Sequence, residues 1–286
     1  MIQNELNVIA ENPSFRLHAV EGYISNIFLV EYKDAILLLD SGSINDAGKI
    51  RHYCEKICKR SMSDIKLCAV SHMHPDHAGG AVYLRSEFGI PVAAFHSIDV
   101  WYSGVTGFIQ YMLDCRMEQF VSKAIGKKKE PVLFGRKINP DYLLHDNDLL
   151  PLFNDWKVVH IPGHTLHDIA LYHEKEKIVH TGDAVLVVKN KFSIPIPVFF
   201  KGTMKRSYNK LSTLDITMIL PGHGDSITPG NSNGLFNHMT SLVDEPMSSM
   251  SRLAHTVSLF TPAVWKGILK NMLKNVCAHD RAVKSP

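Results

Sequence analysis

Apolar positions along this chain come in short blocks separated by turns, and their spacing changes from strand-like to helix-like several times. Ile27, Phe28, Leu29 and Val30, then Ala35, Ile36, Leu37, Leu38 and Leu39, flank a polar Lys33-Asp34 connection, which is the pattern of a hairpin with buried strands. The second block ends at Asp40, Ser41 and Gly42. Residues 46–59 carry helical spacing, and 65–70 reads as a short apolar strand that leads directly into a histidine-rich run. A helix is expected from Ala78 onward and a strand over 90–95. Strand and helix therefore alternate through this part of the chain, an α/β layout.

From residue 96 to about 130 the pattern is different. Trp101, Tyr102, Phe108, Tyr111, Met112, Met117 and Phe120 recur at helical intervals and the stretch closes on Lys127, Lys128 and Lys129. This predicts a helical insertion whose large side chains serve mainly as core, with the lining of a substrate pocket as the competing role, since methionines and aromatics adapt to irregular ligands. After Pro131 short strands return at 156–161, 169–172, 177–180 and 216–220, each ending in a turn. Three of those turns carry metal-ligand side chains: Pro162-Gly163-His164-Thr165, Thr181-Gly182-Asp183 and Pro221-Gly222-His223-Gly224. Glycine next to such a residue allows unusual backbone angles and close approach.

Beyond Ser232 the spacing is purely helical. Thr261-Pro262 has the form of an N-cap followed by proline at the first helical position. Trp265, Ile268, Leu269, Met272, Leu273 and Val276 then trace one apolar stripe beside Lys266, Lys270 and Lys274. The expectation is C-terminal helices over 231–286 that pack on the sheet or on another subunit, as in a homodimer. A helix lying on a membrane surface is the alternative.

Composition narrows the function classes. With 286 residues and 45% hydrophobic content the chain can bury a substantial core. A formal charge of +3, from 31 basic and 28 acidic residues, gives no support to phosphate-backbone recognition, so no nucleic-acid partner is expected. The N-terminal residues lack the basic, apolar and small-residue pattern of a secretory signal, and no apolar stretch has the length of a membrane span. A cytoplasmic, soluble protein is the expectation. The five cysteines, Cys54, Cys58, Cys68, Cys115 and Cys277, are odd in number and contain no Cys-x-x-Cys pair, which fits reduced thiols. Cys54 and Cys58 share a helical face, yet two further ligands would be needed for a metal there.

The chemistry concentrates in Ser71-His72-Met73-His74-Pro75-Asp76-His77-Ala78-Gly79-Gly80, where three imidazoles and one carboxylate fall within six consecutive positions just beyond a strand end. That donor set suits zinc, iron or manganese. A polar turn is the bland alternative. The other histidines, among them His96, His145, His160, His167, His173 and His180, have no metal-ligand spacing of their own and are expected at the surface or in the core.

Taken together, strand-end Asp40, the run His72-x-His74-x-Asp76-His77, His164, Asp183 and His223, in this order, resemble the metal-site motifs of the metallo-β-lactamase superfamily over residues from about 25 to 225. The resemblance implies a four-layer αββα sandwich with the metals in a cleft at one edge of the sheets. It also implies a catalytic domain over 1–230, with the insertion at 96–130 over the cleft. By the same analogy His72, His74 and His164 hold a first divalent ion, and Asp76, His77 and His223 hold a second. Asp183 bridges the two. Zinc is the first expectation, with iron and manganese also suited to the donors. Two such ions would bring the pKa of a bridging water towards neutrality, so that hydroxide attacks a carbonyl or phosphoryl centre polarised by one of them. Asp76 is expected both as a ligand and as the catalytic group that orients the nucleophile or passes a proton to the leaving group. Asp40 comes too early for a ligand. It reads either as an acceptor that fixes an imidazole or as an ordinary turn carboxylate, with Ser71, Thr165 and Thr181 bracing the ligand turns.

Ligand types separate the branches that this family resemblance spans. Asp183 stands where many true β-lactamases have Cys, and His74 where flavodiiron members use Glu, with no flavodoxin-like segment following. The segment between Asp183 and His223 is too short for the large insertion of the nucleic-acid-cutting branch. The glyoxalase II and lactonase-like branches share the ligand set, although no basic residues that would grip glutathione stand out. The expected activity is hydrolysis of an ester, thioester or lactone bond in a small molecule. The apolar, proline-containing segment 191–200, together with the insertion, points to an acyl or other hydrophobic group in that substrate. A phosphodiesterase or nuclease on the same fold would differ in salt-dependent nucleic-acid binding. A regulatory protein that keeps the metals but turns over little would differ in activity.

Overall fold

A computed structural model describes residues 7–246 except 197 and 199, together with 252 and 256. Two strands precede the hairpin expected from sequence: β1 (Val8–Glu11) and β2 (Phe15–Glu21). The hairpin itself is β3 (Asn26–Tyr32) and β4 (Ile36–Leu39), closed where the Tyr32 amide donates to the Ala35 carbonyl at 2.8 Å. Helix α1 (Asp46–His52) crosses over to β5 (Ile65–Val70), and the short α2 (Pro75–Ala78) and α3 (Ala81–Phe88) lead to β6 (Val92–Phe95). The helix expected over 46–59 is α1 continued by one wider π turn at Tyr53–Ile57. Strands β4, β5 and β6 pair in parallel, as βαβ crossovers require.

The insertion expected between 96 and 130 contains one long helix, α4 (Gly104–Ala124). Its large side chains divide between two environments. Trp101, Tyr102 and Tyr111 are buried in the core, whereas Phe108 and Phe120 are 47% and 51% exposed. After it come β7 (Tyr142–Leu144), β8 (Leu149–Leu150), β9 (Phe153–His160) and β10 (Ile169–His173). The remaining elements are β11 (Ile178–Val188), β12 (Lys191–Ser193), α5 (Lys201–Ser212), β13 (Met218–His223) and α6 (Ser232–Leu242). The amphipathic stripe at 265–276 and Cys277 lie outside the described residues.

Among the described residues the strands make two sheets, one in the order β1-β2-β3-β4-β5-β6-β7 and the other β12-β11-β10-β9-β8 with β13 alongside β11. Strand alternation assigns the layers, because successive side chains point to opposite faces. Phe28, Val30, Leu37, Leu39, Leu67 and Ala69 meet Trp156, Val158, Ile169 and Leu171 of the second sheet in one apolar cluster between the sheets. Their neighbours Ile27, Leu29, Ile36, Leu38, Cys68 and Val70 pack on the other face with Ile50, Leu84 and Tyr111 of the helices. On the far side of the second sheet Val159, Ile161, Ala170 and Tyr172 pack against Met204, Tyr208 and Leu211 of α5 and Phe236 and Met239 of α6. The result is helices, sheet, sheet, helices: the αββα sandwich.

The structure differs from the pattern reading at β11. The strand does not end in a turn after His180 but runs on through Thr181, Gly182 and Asp183. Pairing with β13 shifts register between His180 and Gly182 and again before Leu186, and Gly182 takes φ +49°. Asp183 therefore projects from an irregular stretch inside a long strand, where glycine absorbs a left-handed angle that a β-branched residue would not tolerate.

Candidate metal centre

Strand β5 delivers the chain into the site, and Asp40 at the end of neighbouring β4 receives it. Ser71 donates its amide to Asp40 Oδ1 at 2.7 Å and its hydroxyl to Asp40 Oδ2 at 2.8 Å. His72 Nδ1 lies 3.0 Å from the same Ser71 hydroxyl. Since that hydroxyl spends its proton on Asp40, His72 must donate from Nδ1, which leaves Nε2 with a free lone pair. His77 is fixed the same way by donation from Nδ1 to Asp40 Oδ2 at 2.7 Å, and His223 by donation from Nδ1 to the Ile24 carbonyl at 2.8 Å. Each partner accepts the Nδ1 proton of its ring and so aims Nε2 of His72, His77 and His223 inward.

The structure brings all seven expected ligands together. His72, His74, His164 and Asp183 offer donor atoms within 4.8 Å of one another, and so, as a second group, do Asp76, His77 and His223. In the first group His74 Nδ1 sits 3.1 Å from His72 Nε2 and 2.9 Å from His164 Nε2. In the second, His223 Nε2 is 3.1 Å and His77 Nε2 3.5 Å from Asp76 Oδ2. Asp183 stands between them. Its Oδ2 faces His72 and His164 at 3.8 and 3.6 Å, and its Oδ1 faces His77 and His223 at 3.0 and 3.3 Å.

The donor set fits divalent cations. His77 Nε2 and Asp183 Oδ1 are buried without a hydrogen-bond partner, and in the first group His74 Nδ1 meets two other imidazole nitrogens within 3.1 Å. Burial, reinforced by neighbouring imidazoles, pushes His72 well below its ordinary value, and burial brings His74 down to about 4, so both are neutral imidazoles at physiological pH. Burial opposes charge on His77 and His223 as well, but Asp183 and Asp76 override it and hold His77 well above its usual range and His223 at about 10. Those carboxylates demand positive charge, which a bound cation supplies in place of protons.

Backbone packing keeps the walls close. A Cβ on Gly222 would lie 2.6 Å from Asp183 Oδ1 and 2.7 Å from His77 Cε1, so only glycine lets β13 pass this near. Thr165 braces its turn as expected, donating its hydroxyl and amide to Asp168 at 2.6 Å each. Thr181 does not. Its hydroxyl is buried without a hydrogen-bond partner, because β11 continues through this position and its side chain faces no acceptor.

Several supporting residues carry no local sequence signal. His180, expected as an ordinary core or surface histidine, is buried and bridges Asp40 Oδ2 at 2.9 Å and the Leu220 carbonyl at 3.0 Å. His167 accepts the Met73 amide through Nε2 at 3.0 Å. Ser25 donates to the Asp76 carbonyl at 2.5 Å. On α4, Asp114 reaches the outer edge of His74, its Oδ2 lying 3.5 Å from His74 Nε2.

A third group, His18, Glu31 and Cys58, also has metal-ligand spacing. Here the charge is already matched: Glu31 pairs with Arg16 at 3.0 Å and Arg60 at 3.4 Å, and burial pushes the Cys58 thiol up to about 12. Two guanidinium groups and a protonated thiol make this an ion-pair network around a buried carboxylate rather than a cation site. Cys54, Cys58, Cys68 and Cys115 are buried and unbridged.

A family model described as the metallo-beta-lactamase superfamily matches residues 20–223, a span that contains the whole constellation. The chain belongs to the metallo-beta-lactamase superfamily. With that membership the metal-dependent hydrolase reading of the sequence stands. The chain is 26% identical over 225 residues to the probable metallo-hydrolase YqjP of Bacillus subtilis, covering 71% of this chain and 67% of that protein. It is 28% identical over 164 residues to a hydroxyacylglutathione hydrolase of Pelagibacter ubique, covering 56% and 52%. In fold it is similar to a metallo-beta-lactamase family protein of Thermus thermophilus, with a TM-score of 0.62 and 19% identity over 87% of this chain and 94% of that one. No helix among the described residues is long and apolar enough to cross a membrane.

Proposed function

We propose that this superfamily member is a dinuclear hydrolase that cleaves an ester, thioester or lactone bond in a small molecule. The observation that carries the reading is the placement of Asp183, with one carboxylate oxygen towards each histidine group. His72, His74 and His164 would hold one divalent ion and Asp76, His77 and His223 the other, with Asp183 shared. Zinc is the first choice for an imidazole-rich, oxygen-completed site, and iron and manganese accept the same donors. When bound, two such ions lower the pKa of a shared water towards neutrality and polarise the scissile carbonyl.

The chain's own residues do the rest. Asp76, 7% exposed and held by the Ser25 bond to its carbonyl, orients the attacking water and passes its proton to the leaving group. Asp40 keeps His72, through Ser71, and His77 in the ligand tautomer. Similarity to proteins named hydroxyacylglutathione hydrolase supports a thioester among the three bond types. An acyl or other apolar group on the substrate is supported by Phe200, which belongs to the same apolar cluster as Trp101, Tyr102 and Tyr111 and so joins segment 191–200 to the insertion. The adjoining Phe199 lies outside the described residues.

Metal analysis of the purified protein, run beside a panel of thioester, lactone, ester and phosphodiester reporters, tests the proposal. Two ions per chain with turnover of a carboxylic-acid derivative, abolished in His74→Ala, is the expected result. Turnover confined to phosphodiesters, or unchanged activity in His74→Ala, would overturn it. Loss of long-chain but not short-chain ester turnover in Phe200→Ala is the expected mark of the apolar group.

A further inference from the structure

A metal-bound imidazole holds its orientation by donating its second ring N–H to an acceptor. His72, His77 and His223 have theirs in Ser71, Asp40 and the Ile24 carbonyl. His74 differs in presenting Nδ1 to the cluster, which turns Nε2 outward, where it is buried without a hydrogen bond. The atom it faces is Asp114 Oδ2 at 3.5 Å, on the inner face of α4. Resting on the metal-centre reading above, we propose that Asp114 is the positioning residue of His74, so that the insertion helix supplies the acceptor that completes the first metal position.

Asp114 is built for that task. Tyr102 donates to its Oδ2 at 2.8 Å and Gln110, one turn earlier on α4, to its Oδ1 at 2.7 Å. The carboxylate is thereby held in one rotamer facing His74. With a cation on Nδ1, the sole ring proton of His74 lies on Nε2, and Asp114 is the carboxylate within reach. A shift of a few tenths of an ångström brings the pair to hydrogen-bond length. Asp114 itself lies outside both donor groups, so it acts through His74 rather than as a ligand. No local motif announces it: an aspartate in the middle of a helix, far in sequence from the histidine run, acquires this role only because α4 packs beside α2.

Cobalt(II) and zinc binding to the full-length protein tests the assignment by chelator competition and by the visible d–d spectrum of the cobalt form. Asp114→Ala is expected to weaken one of the two ions by about 10- to 100-fold and to shift the cobalt bands. Asp114→Asn, nearly isosteric, keeps an acceptor oxygen without the charge and should fall between wild type and Asp114→Ala. It also decides the question if the alanine variant does not fold. Tyr102→Phe, which loosens Asp114 without touching His74, should move the spectrum in the same direction by less. Wild-type affinity and spectrum in the folded Asp114 variants would overturn this assignment alone. A wild-type protein that takes up no cation would overturn the metal-centre reading, and this assignment with it.

Discussion

Nδ1 of His77 donates to Asp40 Oδ2 across 2.7 Å, and neither side chain reaches solvent. The same carboxylate collects the amide and hydroxyl of Ser71 and Nε2 of His180. Burial alone would raise Asp40, but the charges and hydrogen bonds of His77 and His180 hold it well below the usual carboxylate range. Asp40 also sits at φ +60°, a left-handed angle that Asp tolerates better than most residues. One strand-end residue therefore ties the loop after β4, the start of the histidine run and β11 into a single frame.

Asp40→Asn keeps the shape but turns one acceptor oxygen into a donor, setting it against His77, His180 and Ser71. We expect metal affinity to fall by about 10- to 100-fold, chiefly at the ion held by His77. Chelator competition on wild type and variant checks this, and equal affinities would remove Asp40 from the support of the site.

Gly222→Ala places a methyl group 2.6 Å from Asp183 Oδ1 and 2.7 Å from His77 Cε1. Both contacted groups are shut off from solvent, so the strand or the carboxylate must move. Overpacking of this kind costs about 1 to 3 kcal/mol. The expected outcome is a lower melting temperature together with fewer than two ions per chain, measured by calorimetry and metal analysis. A variant that keeps full metal content would show that β13 can retreat without disturbing Asp183.

What could be read from sequence follows from how locally each feature is encoded. His72, His74, Asp76 and His77 are visible because a strand end and one short helix carry them in a single run. His164 in the turn between β9 and β10, Asp183 within β11 and His223 at the end of β13 become legible only through their order, which matches the family. Asp114 and His180 were beyond reach, since their roles arise from α4 packing beside α2 and from β11 lying against β13. Helix α5 does carry a signal, Met204, Tyr208 and Leu211 at helical spacing, but the sequence reading passed over it between the segment 191–200 and the strand expected at 216–220. The continuation of β11 through Gly182 hid behind a glycine that usually marks a turn.

Glu118 offers a test of the electrostatics beneath the centre. It is buried on α4, accepts a hydrogen bond from Ser43, and is raised from an ordinary value near 4.5 to about 9, first by burial and then by the charge of Asp76. The folded state holds a proton that the unfolded chain releases between those two values. The stabilisation from this group is complete below about pH 4.5 and is lost as pH rises towards 9. Glu118→Gln removes the titration and keeps the shape. In metal-free protein the melting temperature of the variant should gain on wild type as pH is raised from about 5 to about 8.5. A difference that stays constant across that range would mean Glu118 is ionised in the fold.

Trp156 separates stability from metal binding. It is fully buried between the sheets, donates from Nε1 to the Tyr32 hydroxyl at 3.0 Å and meets His173 edge-on at 5.2 Å, touching none of the seven candidate ligands through these contacts. Removing so large a side chain from a packed interior leaves a cavity that neighbouring strands cannot close, because each is pinned by its ladder. Trp156→Ala should cost about 3 to 5 kcal/mol in denaturant unfolding while metal affinity at low temperature stays within about threefold of wild type. Parallel loss of both would mean that the inter-sheet core transmits strain to the cleft, and that the rigid frame around Asp40 is less independent than its hydrogen bonds imply.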